Sequence, residues 1–422
     1  MNIPTVLQTA PIDLAISNKL RYAGTERIIY ALNKEFSKKG CISLVAASGD
    51  SDLNGHGLLL PTTHDSLWIT NTNGLERAVV RSHEAYDNHY RICLDLALDN
   101  KADIIHDHPG QYLVNSAEYD KRKEWLDIPI VTTIHEDIQE NVLSKISLWK
   151  KLQEEKRDVH FIGISESHRK KYESNTGLDM PYFVYNGLEI EKFPFRAKKQ
   201  NYMFWIGRLS EIKGTDLAVQ VALETKCPLI IAGEVHTPYK QFYEKKVKPH
   251  ITHTFENETY ETQERLRENL IDRLENNENI IDKGQIYFIG PLDDRQKSVF
   301  YKHAQVVLVP NRWEEPFGLI SIEGMASGTP VVGTSGGALP EVIKHNETGY
   351  IANLHFKNET LDEKRLIQEV GDLVKNIHFI NPLACRERVK NYFTSEIMAN
   401  NYLRIYEHIL NQSFTGIPIH PR

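Results

Sequence analysis

The sequence predicts an α/β protein made of two domains, each with a parallel β-sheet flanked by helices. Three observations support this prediction. The chain has 422 residues, more than the roughly 250–300 at which a single hydrophobic core stops growing. Short apolar runs alternate with amphipathic helical patterns, as in βα units. The alternation restarts near Met203, after an Asn186-Gly187 turn and a Pro- and Lys-containing stretch at Phe193–Gln200, which we predict as the linker.

Apolar runs in the N-terminal half predict the strands of the first sheet. A helix over Glu26–Lys39, with apolar residues at helical spacing, ends at Gly40. The predicted strands are Pro4–Ala10, Cys41–Ala47, Asp103–His106, Ile130–Ile134 and His160–Ile164.

The C-terminal half repeats the pattern. A helix is predicted over Asp216–Thr225, and an amphipathic last helix over Ser395–Leu410. Residues from about 252 to 283 are rich in Glu, Asn, Arg and Lys, which predicts an exposed helical insertion, with disorder as the alternative. We place the domains at 1–195 and 196–394, with 395–422 returning to the first. The predicted strands are Met203–Gly207, Leu229–Gly233, Ile286–Ile289, Val306–Val309 and Pro330–Gly333.

Composition restricts the class of protein. The net charge of -7 and the absence of a dense basic run argue against nucleic acid as the main partner, because binding its backbone needs clustered cations. The four cysteines show no spacing typical of a zinc site or a disulfide framework, as expected in a reducing compartment. No signal-peptide pattern and no run of about 18 apolar residues occurs. We therefore expect a cytoplasmic protein without a transmembrane helix.

The stretch Trp313–Pro330 follows an apolar strand and opens a helix. The unpaired N–H groups of Phe317–Ile320 would face the carboxyl end of the sheet and form an anion site, to which Gly318 allows close approach. Glu315 precedes this helix, and Glu323 lies inside it. The alternative is a helix start that carries acidic residues only to complement its dipole.

Glu315-Pro-Phe-Gly-Leu-Ile-Ser-Ile-Glu323 resembles the E-x-F-G-x(4)-E motif of the retaining glycosyltransferase family 4 at every fixed position. The resemblance implies the GT-B fold, in which two Rossmann-like βαβ domains face a central cleft and the C-terminal helix crosses back to the N-terminal domain. It also implies that Glu315 contacts sugar hydroxyls and Glu323 the ribose hydroxyls of the donor, with Phe317, Gly318 and Leu319 in the same donor site.

A second motif, Trp205–Gly214, is similar to the family's G-R-L-x(3)-K-G run. The resemblance implies that Arg208 and Lys213 neutralise the donor diphosphate as the glycosidic bond breaks, beside Gly207. Taken singly, each cation would be an ordinary surface residue. Around Gly24, the segment Tyr22–Arg27 resembles a G-G-x-E loop that approaches the donor phosphates, although Ala23 replaces its first Gly. A plain helix-start loop is the alternative there.

Histidines end two of the predicted strands. The run Ile104–Pro109 resembles the family's H-x-H, which implies a histidine near the reacting sugar; His108 is our first candidate and His106 the second. His135 ends the next strand and is a candidate for the acceptor side. A metal pair and buried hydrogen-bonded histidines are the alternatives, but no third ligand has a clear spacing. We expect no metal site, and we interpret the D-x-D of Asp50–Asp52 as part of a polar loop.

Basic residues lie among aromatics at 149–151 and 169–172, interspersed with acidic ones. A solvated helix face is the favoured interpretation, and a peripheral contact with the inner face of an anionic membrane is the alternative.

The resemblance implies a retaining, metal-independent hexosyltransferase that takes a sugar from a nucleotide diphosphate sugar and needs no cofactor. UDP-sugars are the preferred donors and GDP-sugars the second choice. The acceptor is an unidentified hydroxyl on a glycan, a lipid-linked molecule or a small molecule. The alternatives are a GT-B sugar-nucleotide epimerase or phosphorylase, and a non-catalytic sugar-nucleotide sensor. A sensor would be expected to lose part of the set Arg208, Lys213, Glu315 and Glu323, which is present in full.

Overall fold

The computed structural model describes residues 4–18, 24–67, 69–71, 74–76, 83–108, 110–138 and 140–411. The chain divides into two compact units. Unit 1 comprises Met1–Gly187 together with Ser395–Arg422, and unit 2 comprises Leu188–Thr394.

Unit 1 alternates strands and helices over most of its length. Its strands are β1 (Thr5–Thr9), β2 (Ile42–Ser48), β3 (Leu58–Thr63), β4 (Ile69–Asn71), β5 (Gly74–Glu76), β6 (Ile104–Asp107), β7 (Ile130–Thr133), β8 (Val159–Gly163) and β9 (Tyr182–Phe183). Its helices before residue 187 are α1 (Thr25–Lys38), α2 (His83–Asp99), α3 (Ala117–Arg122), α4 (Glu140–Glu154) and α5 (Glu166–Thr176).

In the described part of unit 1, seven strands form one parallel sheet in the order β3-β2-β1-β6-β7-β8-β9, and β4 and β5 pair separately as an antiparallel hairpin. Side chains alternate across the sheet: Leu7 and Ile105 join the larger buried hydrophobic cluster, and Val45 and Ala47 join a second one. The strand order reverses between β1 and β6. At such a point the loops that follow the strands diverge and leave room for a ligand.

Unit 2 repeats this architecture. Its strands are β10 (Met203–Ile206), β11 (Leu229–Ala232), β12 (His253–Thr254), β13 (Ile286–Phe288), β14 (Val306–Val309), β15 (Val331–Thr334), β16 (Gly349–Ala352), β17 (Phe356–Lys357) and β18 (Thr360–Leu361). Its helices are α6 (Thr215–Thr225), α7 (Lys240–Phe242), α8 (Tyr260–Glu275), α9 (Asp294–His303), α10 (Leu319–Ala326), α11 (Leu339–Val342), α12 (Glu363–Lys375) and α13 (Pro382–Tyr392).

The sheet of unit 2 is also parallel, with the order β12-β13-β11-β10-β14-β15-β16. Its order reverses between β10 and β14. The two motifs with charged residues in this unit follow these two strands: Gly207–Lys213 comes after β10, and Pro310–Glu315 after β14. The topology therefore brings both motifs to the carboxyl edge of the sheet at this reversal of strand order, which we call the switch point of unit 2.

The last helix, α14 (Ser395–Leu410), belongs to unit 1 and packs against α1. Its apolar face, which includes Met398, Tyr402, Ile405, Tyr406 and Ile409, is buried. This confirms both the predicted amphipathic helix and its return to the first domain. Each strand predicted from the sequence is also present, with its ends displaced by no more than one residue.

Two segments differ from the sequence prediction. The stretch from 252 to 283 is built into unit 2, because β12 adds an edge strand beside β13 and α8 buries one face. The predicted linker Phe193–Gln200 also lies within unit 2. The N–H groups of Arg196 and Gln200 donate to the carbonyls of Ser327 and His303, at the ends of α10 and α9.

Candidate functional site

Lys213 and Glu315 meet at the switch point of unit 2. The Lys213 ammonium lies 2.7 Å from Oε2 of Glu315, and the Asn311 amide donates to the same oxygen at 2.6 Å. The ammonium also lies 4.5 Å from the centre of the Trp313 ring. Both side chains of the pair are mostly buried, with exposed fractions of 25% and 11%. Charge-assisted bonds in such surroundings are strong and fix both groups in place.

The backbone of Glu315 is held by a close approach to Gly337. The N–H of Ala338 donates to the carbonyl of Glu315 at 2.8 Å. A Cβ atom on Gly337 would lie 2.3 Å from that carbonyl oxygen, and Gly337 has φ +65°. Only glycine therefore allows this contact without a shift of the backbone.

The helix α10 begins beside this pair. Its N-cap is Gly318, with φ +92°, a left-handed conformation that disfavours other residues. Phe317 is buried, with its ring 5.9 Å from that of Phe393, and this contact fixes where the helix starts. Leu319 opens the helix, so its N–H has no acceptor within the helix. Ser321, three residues after the N-cap, has a buried hydroxyl with no hydrogen-bond partner among the described residues.

Glu323 lies inside α10 and is bound by α9. Its carboxylate accepts bonds from the Lys297 ammonium at 2.5 Å and from the Tyr301 hydroxyl at 2.9 Å. Lys297 also lies 3.0 Å from Asp294. The two predicted acidic residues therefore belong to two networks: Glu315 is held by Lys213 and Asn311, and Glu323 by Lys297 and Tyr301. The sequence analysis missed four polar residues near the two acids, because they lie outside the fixed positions of the motifs. These are Asn311, Lys297, Tyr301 and Ser321.

Arg208 follows β10 on the same loop as Lys213. Its guanidinium lies 5.9 Å from the centre of the Tyr239 ring, and within the described parts of the chain it has no carboxylate partner. The preceding Gly207 donates its N–H to Ala232, the last residue of β11, at 3.1 Å. A cation without a carboxylate partner at the carboxyl edge of a parallel sheet is suited to an anionic ligand.

The predicted histidines of unit 1 come together at the carboxyl edge of its sheet. Nδ1 of His108 lies 3.1 Å from Nε2 of His135, and the rings of His106 and His108 lie 3.9 Å apart. Burial, followed by the neighbouring histidines, lowers the pKa of His106 and His108 well below the ordinary value. These two rings are therefore neutral at pH 7. The Nε2 atom of His108 is buried and has no hydrogen-bond partner among the residues described.

Gly24 caps α1 with φ -91° and ψ -59°, a conformation open to any residue. No described atom lies within 4 Å of the position that a Cβ would take. Neither backbone strain nor packing within the described residues therefore requires glycine here. Tyr22 and Ala23 lie outside the described residues. Two positions on, burial raises the pKa of Glu26 to about 7.

No group of three or more His, Cys, Asp or Glu side chains is arranged to hold a metal ion in the described part of the chain. Among these same residues, no helix has the length and apolar character needed to cross a bilayer. Three cations of the basic stretches are paired with acids, Lys151 with Glu155, Arg169 with Glu173 and Lys170 with Glu166. This pairing agrees with a solvated helix face.

Residues 188–376, nearly all of unit 2, match the family model for glycosyl transferases group 1. The chain carries a glycosyl transferases group 1 domain. The match confirms the predicted glycosyltransferase family for this domain. The domain contains Arg208, Lys213, Glu315 and Glu323, together with the contacts that hold the last three.

Curated relatives of the chain share only part of their length with it. An uncharacterized 41.2 kDa protein in the cps region of Klebsiella pneumoniae is 33% identical over 129 residues, which is 30% of this chain and 34% of that protein. The N-acetyl-alpha-D-glucosaminyl L-malate synthase of Bacillus anthracis is 29% identical over 132 residues, 31% of this chain and 33% of the synthase. The chain thus matches about a third of the length of these curated relatives.

Solved structures resemble the chain over nearly its whole length. Sucrose-phosphate synthase from Thermosynechococcus elongatus has a TM-score of 0.66 at 16% identity, over 97% of this chain and 100% of its own. An Anabaena protein, HepE, solved in complex with UDP-glucose, has a TM-score of 0.61 at 16% identity, over 97% of this chain and 99% of its own. At these identities the likeness shows the fold. The group 1 domain is thus one half of a GT-B fold, and the predicted fold class is confirmed.

Proposed function

We propose that the protein is a retaining, metal-independent glycosyltransferase that moves a hexose from a nucleotide diphosphate sugar to a hydroxyl acceptor. The observation that carries the proposal is the pairing of Lys213 with Glu315 at the switch point of unit 2, on the two loops that also carry Arg208 and lead into α10. Cations, helix N–H groups and a buried carboxylate at one edge suit a ligand that joins a diphosphate to a polyhydroxyl sugar.

Arg208 and the first turn of α10 bind the diphosphate in this proposal. Arg208 has a guanidinium free of carboxylates within the described residues, and the buried Ser321 hydroxyl lacks a partner there. The phosphate oxygens of a bound diphosphate would satisfy these two groups. Lys213 holds a position from which it can add a second positive charge, because its bond to Glu315 keeps its ammonium at the same edge.

Glu315 and Glu323 recognise hydroxyl groups. Each carboxylate is already oriented by donors, Glu315 by Lys213 and Asn311 and Glu323 by Lys297 and Tyr301. A carboxylate has about four lone-pair sites, so it can accept further bonds from sugar or ribose hydroxyls. We assign the sugar to Glu315 and the ribose to Glu323.

The reaction forms one bond and breaks one. The acceptor oxygen bonds to the anomeric carbon, while the bond from that carbon to the β-phosphate oxygen breaks, and its electron pair leaves with the nucleoside diphosphate. The acceptor proton passes to the departing phosphate oxygen. Arg208 and Lys213 stabilise the negative charge that develops on this leaving group. Retention follows when the acceptor attacks from the side on which the phosphate departs.

The histidines of unit 1 bind the acceptor hydroxyl in this proposal. The unpartnered Nε2 of the neutral His108 can hydrogen-bond a hydroxyl, and His135 orients its ring through the bond at 3.1 Å. His106 lies behind it. A glycan, a lipid-linked molecule and a small molecule all offer such a hydroxyl.

UDP-sugars are the proposed donors, with GDP-sugars second. HepE, which resembles this chain in fold, was solved with UDP-glucose, and the pneumococcal transferase GtfA was solved with UDP and GlcNAc. We further propose that no bound cofactor takes part, and that the protein works in the cytoplasm, where its four free thiols stay reduced. Peripheral contact with the inner membrane face stays a prediction.

Thermal unfolding with a panel of UDP-, GDP- and ADP-sugars in the presence of EDTA tests the donor site. We expect UDP-sugars to raise the Tm by a few degrees, and Arg208→Ala to weaken binding roughly 30- to 100-fold, the scale of a lost charged hydrogen bond. Glu323→Ala should also weaken it, whereas the exposed Lys283→Ala should not. A folded protein that responds to no sugar nucleotide would contradict the proposal.

Tests of retention and of metal independence require a reaction product. NMR of the anomeric proton distinguishes a retained from an inverted linkage, and turnover in EDTA should equal turnover with added Mg²⁺. Inversion, or a loss of rate in EDTA that Mg²⁺ restores, would contradict these parts of the proposal while leaving the donor site intact.

A further inference from the structure

Four polar residues on β6 and β7, and just beyond their ends, form two rungs on one face of the unit 1 sheet. His106 and His108 are two residues apart, as are Thr133 and His135, so alternation places all four on the same face. Nε2 of His106 lies 2.8 Å from Oγ1 of Thr133, which is the first rung. Nδ1 of His108 lies 3.1 Å from Nε2 of His135, which is the second rung, nearer the carboxyl edge.

The helix α14 bonds directly to the first rung. The Tyr406 hydroxyl lies 2.6 Å from Nδ1 of His106, and the Tyr402 hydroxyl lies 3.0 Å from Oγ1 of Thr133. The two tyrosines are four residues apart and share one side of the helix. Both tyrosines, His106 and Thr133 have no exposed surface. Each buried tyrosine hydroxyl therefore has a hydrogen-bond partner on the polar face of the sheet.

These bonds hold His106 in one orientation and one protonation state. Both ring nitrogens have a hydroxyl partner, and burial lowers the pKa of His106 well below its ordinary value. A neutral imidazole has one donor nitrogen and one acceptor nitrogen. If the Tyr406 O–H donates to Nδ1, then Nε2–H donates to Oγ1 of Thr133, which can also accept from Tyr402, so both ring nitrogens of His106 are satisfied.

The first rung supports the second through ring contact. The His106 ring lies 3.9 Å from the His108 ring and 4.8 Å from the Tyr402 ring. His108 is therefore held from two directions, by the His106 ring behind it and by the hydrogen bond to His135 beside it. A loosened His106 would free the His108 ring to turn.

We propose that Tyr406 and Tyr402 are positioning residues, which act through His106 to hold His108 in the orientation that an acceptor hydroxyl requires. This inference rests on the proposed function, and it assigns to the last helix a part in the acceptor site rather than only in the hydrophobic core. Tyr406 has the larger effect, because of the two tyrosines it is the one that bonds His106 directly, whereas Tyr402 acts through Thr133.

The test compares Tyr406→Phe and Tyr402→Phe in the full chain, with UDP-glucose as donor and water in place of the acceptor. UDP release gives kcat and KM. Tyr406→Phe should lower kcat roughly tenfold, the scale of one hydrogen bond, with the KM for UDP-glucose unchanged because unit 2 binds the donor. Tyr402→Phe should lower kcat by less. Tyr202→Phe, which removes a buried hydroxyl bond in unit 2, controls for lost stability.

A second readout needs no turnover. The protein is labelled with ¹⁵N-histidine, and the ring resonances are assigned with the variants His106→Gln and His108→Gln. Tyr406→Phe should then change the NMR chemical shifts of the ring nitrogens of both His106 and His108. If kcat stays equal to that of Tyr202→Phe and the His108 shifts do not move, the inference is wrong and the tyrosines are structural. If the wild type neither binds nor hydrolyses any sugar nucleotide, the proposed function fails, and the nitrogen shifts alone decide whether the tyrosines orient His108.

Discussion

At the residue scale, the bond between Lys213 and Glu315 joins two side chains that are 102 positions apart in the sequence. Lys213→Ala removes a positive charge at the leaving group and leaves the mostly buried Glu315 with Asn311 as its remaining side-chain donor among the described residues. Loss of one preorganised charge typically lowers kcat by about 100-fold or more. We therefore predict at least that fall in kcat/KM for Lys213→Ala, measured as UDP release. Lys283→Ala is the control, and a change of less than twofold in both would contradict the assignment.

His89 gives a prediction for stability against pH. It is fully buried and bonded to Thr62 at 2.6 Å, and burial lowers its pKa to about 3. The unfolded chain binds a proton at this histidine below about pH 6.5, whereas the folded chain stays neutral. Its contribution to stability is therefore complete above pH 6.5 and declines as the pH falls from there towards 3.

The measurement is the free energy of unfolding in urea at pH 7, 6 and 5 for the wild type and His89→Gln. The wild type should lose about 1.4 kcal/mol more than the variant for each pH unit below 6. His253→Gln, at an exposed histidine, should run parallel to the wild type. If the unfolding free energy of His89→Gln also changed with pH in parallel with that of the wild type, His89 would not be the source of the pH dependence.

At the element scale, α8 turns a polar stretch into part of the core of unit 2. Its Arg267 is fully buried and donates to the carbonyl of Ile289 at 2.9 Å and to the carboxylate of Glu264. Gln296 on α9 donates to Glu264 at 3.1 Å and to Glu268 at 2.9 Å. These bonds tie α8 to α9 and to the loop that follows β13.

Removal of Arg267 should therefore destabilise the protein. Arg267→Ala leaves a cavity and deprives Glu264 and Ile289 of a donor, which for buried pairs costs about 3–5 kcal/mol. Calorimetry should show a lower Tm for the transition of unit 2. Arg265→Ala, two residues away at an exposed position of the same helix, should change the Tm by about a degree at most. Equal effects of the two substitutions would show that α8 is a surface helix, as its composition suggested.

At the scale of the whole molecule, the chain leaves unit 1 at Gly187 and returns to it at Ser395. The returning helix buries Met398, Tyr402, Ile405, Tyr406 and Ile409. At about 1.5–3 kcal/mol for each large apolar side chain, this burial amounts to the whole stability of an ordinary domain. Deletion of residues 395–422 should therefore abolish the cooperative unfolding of unit 1 in calorimetry. The transition of unit 2 should remain, and a preserved unit 1 transition would contradict this prediction.

The sequence determined the elements whose signals are local. Central strands such as β1 and β14 are short apolar runs between turns, and α14 has its apolar residues at helical spacing, so both follow from neighbouring residues. The motif Glu315–Glu323 also identified the family, because its fixed residues lie close together in the sequence. The sequence did not predict β3, β9, β12 and β16, the edge strands of the two sheets. β9 and β12 have 2 residues each, and β3 contains Pro61. Each edge strand has a neighbour on one side of the sheet, and its pairing with that strand is not visible in the local pattern.

The tertiary structure decided which polar groups meet. The spacing of His106 and His108 predicts a shared face, but their partners lie 27 residues away on the next strand, and Tyr406 lies 300 residues from His106. Likewise, nothing local pairs Glu323 with Lys297, or gives α8 a buried arginine. Local periodicity reports the few residues on either side of a position. The donors and acceptors of a buried site come from elements that only the packing of the whole unit brings together, and burial makes their pairing obligatory.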